Sequence, residues 1–281
     1  MIRIRYFAPA PPLRAYLSSY YWFESNEPAF SDLMRAELPQ IRLVTVGHPT
    51  NHYSTGVVRG SLRAQLQGPT SGPVRFVSDG PLHLFGVGLL PQGWATLIGE
   101  PADRLADDVV DLGSVIGPSA DDVLGAIVAG SNDAERVAAA DHFFLGLLAQ
   151  ARGAPLWFTR LTDDWLTTTA DPAVDALVAA SGMSARSVER MAKRIYGASP
   201  KLLARKYRTL GVAVQMGNGE ISGWSEAAAA SFYDQAHFIR EFKQFVGTTP
   251  CRFLAESAPV MRLTMARKTM MPGLPKLALR F

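Results

Sequence analysis

Residues 181–200 read SGMSARSVERMAKRIYGASP, and residues 231–250 read SFYDQAHFIREFKQFVGTTP. Laid over each other at an offset of 50 residues, the two stretches share Arg-x-x-Lys-x-x-x-Gly-x-[Ser/Thr]-Pro without a gap. Such a repeat indicates two copies of one supersecondary unit. Each copy predicts a short helix, a turn and a longer helix that stops at glycine. A hydroxyl residue followed by proline then begins the next helix.

The longer helix of each copy is amphipathic. In the first copy an apolar stripe recurs at helical spacing: Val188, Met191, Ala192 and Ile195. A basic row lies on another face: Arg186, Arg190 and Lys193. In the second copy the apolar stripe is Phe238, Phe242 and Phe245, and the exposed row is Ala236, Arg240 and Lys243. An apolar stripe packs on a core, whereas cations on one face repel each other unless an external anion binds them. The pattern predicts two helix-turn-helix units.

A third helix joins the two units. Ser199 and Pro200 are a typical N-cap and first helical residue, and the only helix breaker before Met216 is Gly211. At 1.5 Å per residue this helix would span roughly 25 Å. With the body of each unit added, the two basic helices could lie about 34 Å apart, which is one turn of DNA.

Charge separates the two halves of the chain. Residues 1–150 hold 10 Arg, no Lys and 15 acidic residues, a net charge of −5, whereas residues 151–281 carry +8. The densest stretch is residues 184–208, with eight cations against Glu189. A local field of this size predicts a polyanionic partner such as nucleic acid.

Composition excludes several classes of protein. Of the 281 residues, 48% are hydrophobic and 19% are charged, which indicates a folded chain. The longest apolar stretch, residues 82–99, is broken by Pro91 and glycines, and residues 1–5 do not resemble a secretion signal. The single cysteine, Cys251, excludes an internal disulfide. We therefore expect a cytoplasmic protein with no membrane partner.

Four regions follow from the pattern of the chain. Short apolar runs separated by Gly and Pro predict strands before Pro91, and helical spacing begins after it. The stretch Ala151–Pro155 is the best candidate for a boundary. We predict a β-rich domain with helices at 1–150, a linker at 151–159, an all-helical domain at 160–256 and a basic tail at 257–281.

The second copy resembles the signature of the AraC/XylS family of transcription regulators. Residues 231–243, SFYDQAHFIREFK, and 247–250, GTTP, are similar to the family's Gly-Phe-x-Asp-Gln-Ser-His-Phe-x-Arg-x-Phe-Lys and Gly-x-Thr-Pro. The first copy matches more loosely, through residues 182–184, Arg190 and residues 197–200. It departs from the family at Val178 and Ala192, and Ser231 replaces a turn glycine in the second copy.

Three stretches upstream resemble the cupin-like N-terminal domains of some of these regulators: residues 7–22, 60–69 and 85–94. The resemblance implies an α+β protein in which a cupin-like β-barrel with helices precedes a double helix-turn-helix domain. It also implies double-stranded DNA as partner and no catalysis. A small-molecule effector, a homodimer and, for an activator, RNA polymerase are further partners that it suggests.

The basic helices supply the candidate DNA contacts. Residues in the first turns of a recognition helix reach base edges. The resemblance places the base contacts at Arg186, Glu189, Arg190, Gln235, His237 and Arg240. Phosphate contacts are expected from Lys193, Arg194, Lys201, Arg205 and Lys243. Glu189 could instead pair with Lys193 four residues on.

Two other functions stay open. A cupin-type metalloenzyme with an accessory helical module would need metal ligands, but His48, His52 and His83 have no suitable spacing, so we expect neither metal nor cofactor. A nonspecific nucleoid protein would use phosphate contacts alone. Aromatic residues of the first half could line an effector pocket, although packing in the core is the favoured alternative: Tyr20, Tyr21, Trp22, Phe23, Trp94 and Trp157.

Overall fold

The computed structural model describes residues 2–60, 62–151, 153–221, 232–256, 259–265, 267, 271 and 273–280. Strands followed by helices form the first half, and helices form the second, which confirms the α+β class. Within these ranges no helix combines the length and apolarity that a membrane span requires.

Two antiparallel sheets form the N-terminal half. One has the strand order β1-β2-β9-β4-β7-β10: Ile2–Phe7, Leu17–Ser25, Leu82–Leu89, Gln40–Val46, Ala64–Gln67 and Val109–Asp111. The other has the order β3-β8-β5-β6: Phe30–Met34, Val74–Ser78, Thr50–Tyr53 and Val58–Arg59. Apolar residues from both sheets meet in a shared cluster that includes Phe23, Phe76 and Leu84.

The sheets do not close into a barrel. Among the described strands no ladder joins one sheet to the other, so β1 and β10 remain edges of the first sheet and β3 and β6 of the second. The predicted β-rich domain with helices is confirmed, but its strands form two open antiparallel sheets and not the cupin-like β-barrel that the resemblance implied. Apolar alternation and turn residues specify strands, but barrel closure depends on pairing between strands far apart in sequence, which a local pattern does not encode.

Helices pack on the six-stranded sheet. They are α1 (Pro91–Gly93), continued by a π-helical stretch (Trp94–Ile98), then α2 (Gly113–Ile116), α3 (Ser119–Ala129) and α4 (Asp133–Gln150). The side chain of Asn132 caps α4 by accepting a hydrogen bond from the Glu135 amide. The α4 ring of Phe144 stacks on Tyr20 of β2 with 6.2 Å between ring centroids. These contacts join the helices and the sheet in one apolar cluster.

The second half consists of short helices with well-defined ends. Their bounds are α5 Leu156–Thr168, α6 Val174–Ser181, α7 Ala185–Tyr196, α8 Pro200–Gly217, α9 Gln235–Val246 and α10 Pro250–Glu256. The helix α5 begins inside the range predicted as linker. Side chains of Ser184, Ser199 and Asp234 cap α7, α8 and α9. Glycines with positive φ, Gly197 at 79° and Gly247 at 88°, end α7 and α9. These ends confirm the repeat-based prediction.

A last helix, α11 (Pro259–Met265), returns to the N-terminal half. Its Val260 lies in the cluster between the two sheets. The carboxylate of Asp32 in β3 accepts a hydrogen bond from the Val260 amide at 2.7 Å. The predicted basic tail therefore contains a helix that packs against β1 and β3.

The N-terminal and helical regions are joined by an extensive polar contact. The Ala36 amide donates to the Phe245 carbonyl at 2.8 Å. From α8, the ammonium of Lys206 donates to the carbonyls of Glu37 at 2.9 Å and Thr70 at 2.7 Å. The side chain of Lys206 is buried, and burial lowers its pKa to about 7. The double helix-turn-helix region is thus held in place against the sheets.

Candidate nucleic-acid interface

The first candidate recognition helix, α7, is fixed by its apolar face. Val188, Ala192 and Ile195 are buried, and Met191 is half-buried, as the apolar spacing predicts. The Ser184 hydroxyl accepts a hydrogen bond from the Ser187 amide and so satisfies one of the free amides in the first turn. The position of α7 therefore follows from a stripe and a cap that are both readable in the sequence.

A buried hydrogen bond also anchors the last turn of α7. The Tyr196 hydroxyl donates to Asp163 of α5 at 2.7 Å, and its oxygen lies 3.1 Å from the Thr159 carbonyl oxygen. Burial raises the pKa of Asp163 to about 7, although the hydrogen bond from Tyr196 opposes the shift. Sequence reasoning missed this pair. The feature that could have indicated it in the sequence is an acidic residue, Asp163, on the side of α5 that packs against the domain.

The opposite face of α7 is cationic and exposed. The side chains of Arg186, Arg190, Lys193 and Arg194 all lie on it. They line an open cleft whose other wall is Pro101, Asp103 and Arg104 of the N-terminal half. The sequence-predicted base and phosphate contacts of the first unit are thus brought together on one surface.

Glu189 is already paired on this surface. Its carboxylate lies 2.8 Å from the Lys193 ammonium. The hydrogen bond to Glu189 raises the pKa of Lys193. Both side chains are about half exposed, so the pair can separate at little cost when DNA competes for either group. The alternative role of Glu189, a surface ion pair, is the one that the structure shows in the absence of DNA.

The second candidate recognition helix, α9, buries an aromatic stripe. Phe238, Phe242 and Phe245 are fully buried, and Phe238 and Phe242 meet edge to face with 5.5 Å between ring centroids. The other face exposes the predicted contacts Gln235, Arg240 and Lys243.

His237 differs from the other predicted contacts of α9. Its side chain is 30% exposed, and Nε2 lies 3.7 Å from the buried carboxylate of Glu241. Its ring also packs against Phe232 with 5.8 Å between ring centroids. A direct base contact by His237 would therefore compete with contacts inside the domain.

An ion pair connects the linking helix to α9. The Arg205 guanidinium of α8 donates through Nη2 to Oε1 of Glu241 at 2.6 Å and to Gln244 at 2.7 Å. Its Nε also donates to both carboxylate oxygens of Glu241, which is buried. Arg205 was predicted to contact phosphate, and that role stays a prediction that competes with this pair. The feature of the sequence that could have indicated this pair is Glu241, an acidic residue beside the apolar stripe of α9.

We expect Arg205→Ala to lower the free energy of unfolding by about 2 to 3 kcal/mol, because it leaves the buried Glu241 carboxylate without its cation. Chemical denaturation of the full chain would measure this loss. Lys201→Ala, on the exposed first turn of α8, is the matched control and should change stability by less than about 0.5 kcal/mol. Equal effects of the two substitutions would contradict a structural role for Arg205.

Not every cation of residues 184–208 faces solvent. Lys206 is buried at the contact with the N-terminal half. The guanidinium of Arg208 lies over the Phe232 ring and donates to Asp171 at 2.6 Å. Lys201 remains exposed. The sequence count therefore overstated the charge available to a polyanion, because Lys206 and Arg208 contact groups of the protein itself and Arg205 already pairs with Glu241.

Residues 177–256 match the family model described as a helix-turn-helix domain. The match covers both units and the helix that joins them. This region is an AraC-type helix-turn-helix domain. The chain therefore carries a DNA-binding domain of the kind found in AraC-type transcription regulators. Residues 5–111 match a second model, the domain of unknown function DUF6597, which covers both sheets.

Several solved structures match the chain at low sequence identity. ToxT from Vibrio cholerae matches with a TM-score of 0.48 and 10% identity over 84% of this chain and 97% of that chain. ToxT with a bound unsaturated fatty acid matches with a TM-score of 0.47 and 11% identity over 90% and 94%. The AraC-like activator CuxR matches with a TM-score of 0.32 and 11% identity over 68% and 80%. No curated protein sequence matches the chain.

The metalloenzyme alternative finds no site in the part of the chain that the structure describes. No group of three or more His, Cys, Asp or Glu side chains is placed there to hold a metal ion. The Nε2 of His83 pairs with Asn26 at 2.9 Å, and His48 and His52 lie in or beside β5. The three histidines that sequence reasoning weighed are thus not gathered around one point in the described ranges.

Proposed function

We propose that the chain reads specific DNA sequences with both helix-turn-helix units and that its N-terminal domain makes this binding responsive to a small molecule. The observation that carries the proposal is the cationic face of α7, where four basic side chains stand exposed while the opposite face is buried. In this proposal Arg186, Glu189 and Arg190 of α7 and Gln235, His237 and Arg240 of α9 contact bases. Lys193, Arg194, Lys201, Arg205 and Lys243 contact phosphates.

The effector site in this proposal is the space between the two sheets. Tyr21 and Phe23 line a cavity there, together with residues of α11. Of the other aromatic residues named from the sequence, Tyr20, Trp22 and Trp94 are buried in the core, and Trp157 is half exposed. Two of the six aromatic residues thus support a pocket, and three support core packing. A cytoplasmic location, a homodimer and RNA polymerase as a partner remain predictions from the family resemblance.

Two substitutions on α7 would separate base contacts from phosphate contacts. Arg190→Ala should cost about 1 to 3 kcal/mol on the preferred site and relax preference at one base pair. Lys193→Ala should weaken binding to all sequences alike. It should also reduce the slope of log affinity against log salt concentration by about one, because one phosphate contact is lost. The full chain is first used to select a bound fragment from genomic DNA. Its affinity for this fragment and for a fragment of scrambled sequence is then measured over a series of salt concentrations.

Arg160→Ala, an exposed arginine on α5, is the control for loss of charge alone and should leave both affinities unchanged within about a factor of two. If both α7 variants lost the same affinity on specific and scrambled DNA, the nonspecific nucleoid function would be favoured and the proposed sequence reading would fail.

A further inference from the structure

One wall of the cleft beside α7 belongs to the N-terminal half of the chain. This wall is the segment Pro101–Arg104, which forms a single turn of 3-10 helix. The Arg104 amide donates to the Pro101 carbonyl at 3.1 Å and closes the turn. Ala102 is fully buried, whereas the side chains of Asp103 and Arg104 are exposed. The two charged side chains therefore extend from a backbone that packing holds in place.

The wall packs directly on the C-terminal end of α7. Gly197 ends this helix with a φ of 79°. A methyl group added to Gly197 would lie 2.4 Å from Cγ of Pro69 and 3.3 Å from the Ala102 carbonyl oxygen. Carbon atoms that are not bonded prefer a separation of about 3.5 to 4.0 Å, so only glycine fits at this contact. The wall and α7 are thus held at a defined distance from each other.

The lining of the cleft carries an excess of positive charge. It contains five basic and two acidic side chains, so its formal charge is +3. One acid, Glu189, is the partner of Lys193. The other four basic side chains are exposed guanidinium groups without a hydrogen bond or ion pair to any described residue: Arg104, Arg186, Arg190 and Arg194. Cations that face each other across a cleft repel unless an external anion lies between them.

Arg104 differs from other exposed arginines of the N-terminal half. Arg5 pairs with Asp133 at 2.7 Å, and Arg59 pairs with Asp108 at 2.7 Å. Arg104 makes no such pair in the described part of the chain, although an acid precedes it in the sequence. Its guanidinium is therefore free to bind an anion outside the protein.

The position of the cleft suits the backbone of DNA. The major groove is about 12 Å wide, and a recognition helix that lies in it has a sugar–phosphate strand on either side. On one side of α7, the space that such a strand would occupy is the cleft. The cleft is open to solvent and has a volume of about 600 Å³, which is far more than a single ion needs. Arg104 faces this space from the side opposite α7.

We propose that one strand of the DNA backbone passes through this cleft and that Arg104 contacts its phosphates. The N-terminal half then binds DNA directly. This inference rests on the proposed function, because it extends the DNA-binding surface of α7. It adds a contact outside the helix-turn-helix region, where all the contacts implied by the family resemblance lie. Asp103 on the same wall repels the phosphates and limits the affinity.

Substitution of Arg104 in the full chain tests the contact. Arg104→Ala should weaken binding to the selected fragment and to scrambled DNA alike, by about three- to tenfold, and should reduce the slope of log affinity against log salt concentration by about one. Arg104→Lys keeps the charge and should retain most of the affinity. Arg63→Ala is the matched control. Arg63 is exposed, lies at the opposite end of β7 from Pro69 and does not line the cleft, so its loss should change affinity by less than a factor of two.

Asp103→Asn is the complementary variant on the same wall. Loss of this carboxylate should raise the affinity for both DNA fragments by about twofold, because it no longer repels the phosphates. Thermal unfolding of each variant should agree with the wild-type Tm within about 2 °C, since both side chains are exposed. An unchanged affinity in Arg104→Ala would overturn the proposal. An increased affinity in that variant would also overturn it and would show that the wall keeps DNA away from α7.

Directed cleavage distinguishes a direct contact from a long-range effect of charge. An iron chelate is attached to Arg104→Cys in a chain whose single cysteine is removed by Cys251→Ser. The radicals that it produces should cleave the DNA backbone within the part of the site that α7 protects. The same chelate on Arg63→Cys should not cleave the DNA. Absence of cleavage from position 104, or equal cleavage from both positions, would overturn the proposal.

The further inference and the proposed function fail in different ways. If Arg186→Ala weakens binding and Arg104→Ala does not, only the contact from the N-terminal half is wrong. If Arg104→Ala weakens binding but the wild-type chain does not distinguish the selected fragment from scrambled DNA, the proposed sequence reading is wrong and the contact stands. A chain that binds neither fragment would overturn both.

Discussion

Replacing Arg186 and Arg190 together by alanine is expected to weaken binding to the preferred DNA site by about 100- to 1,000-fold, because each arginine can make a bidentate contact worth about 1 to 3 kcal/mol. The corresponding pair on α9, Gln235→Ala with Arg240→Ala, should cost only about 10-fold. Both pairs of side chains are exposed, but α7 presents four cations in the cleft, whereas α9 presents two. The affinity of a protein for DNA increases with the number of its cations that contact phosphates.

Footprinting on the same site would show which groove each unit occupies. Each double variant should shorten the protected region by about one helical turn, at opposite ends. Arg14→Ala with Arg63→Ala removes the same charge from exposed positions of the N-terminal half and should leave the footprint unchanged. A larger loss from the α9 pair, or an unchanged footprint in both double variants, would contradict the dominance of the first unit.

The second large effect concerns Lys206 and pH. Burial lowers its pKa from 10.5 to about 7 in the folded chain. Between these two values the unfolded chain binds a proton that the folded chain does not, so stability rises with pH. The stability that the chain gains from leaving Lys206 uncharged is complete above pH 10.5 and is lost as the pH falls toward 7. We expect Lys206 to contribute a slope of about 1.4 kcal/mol per pH unit between pH 7.5 and 8.5, below the range in which the tyrosines ionise, measured by denaturant unfolding.

Lys206→Met should remove this slope, because methionine fills a similar volume without a titrating group. Asp163→Asn is the matched control. The pKa of Asp163 is raised from 3.8 to about 7, so its contribution is complete below pH 3.8 and is lost as pH rises to 7. Asp163→Asn should therefore leave the slope above pH 7.5 unchanged. A slope that survives in Lys206→Met would show that another group titrates at the contact.

The helices of the DNA-binding region could be predicted closely from local signals. Ser184, Ser199 and Asp234 cap the helices that the repeat predicts, and Gly197 and Gly247 end two of them. A cap acts within three residues of its own position, and an apolar stripe repeats every three to four residues. Both signals are complete inside a short window of sequence, which explains why they hold in the structure.

The role of each cation could not be predicted in this way. Lys206 and Arg208 belong to the same basic stretch as Arg186 and Arg190, but the first pair is engaged inside the protein and the second is exposed. The partners of Lys206 are carbonyls of Glu37 and Thr70, more than 130 residues away along the chain. A charge count treats all four residues alike, because it contains no information about which face another domain covers.

The amino-acid pattern alone therefore specified the two helix-turn-helix units, their ends and the face that each helix buries, since these depend on propensity, capping and periodicity within a few turns. Tertiary structure alone specified that the sheets stay open, that α11 packs against β1 and β3, that Arg205 pairs with the buried Glu241 and that Lys206 is buried between the two regions. These features arise from contacts between segments distant in sequence. Their free energy depends on burial and on partners that exist only once the chain has folded.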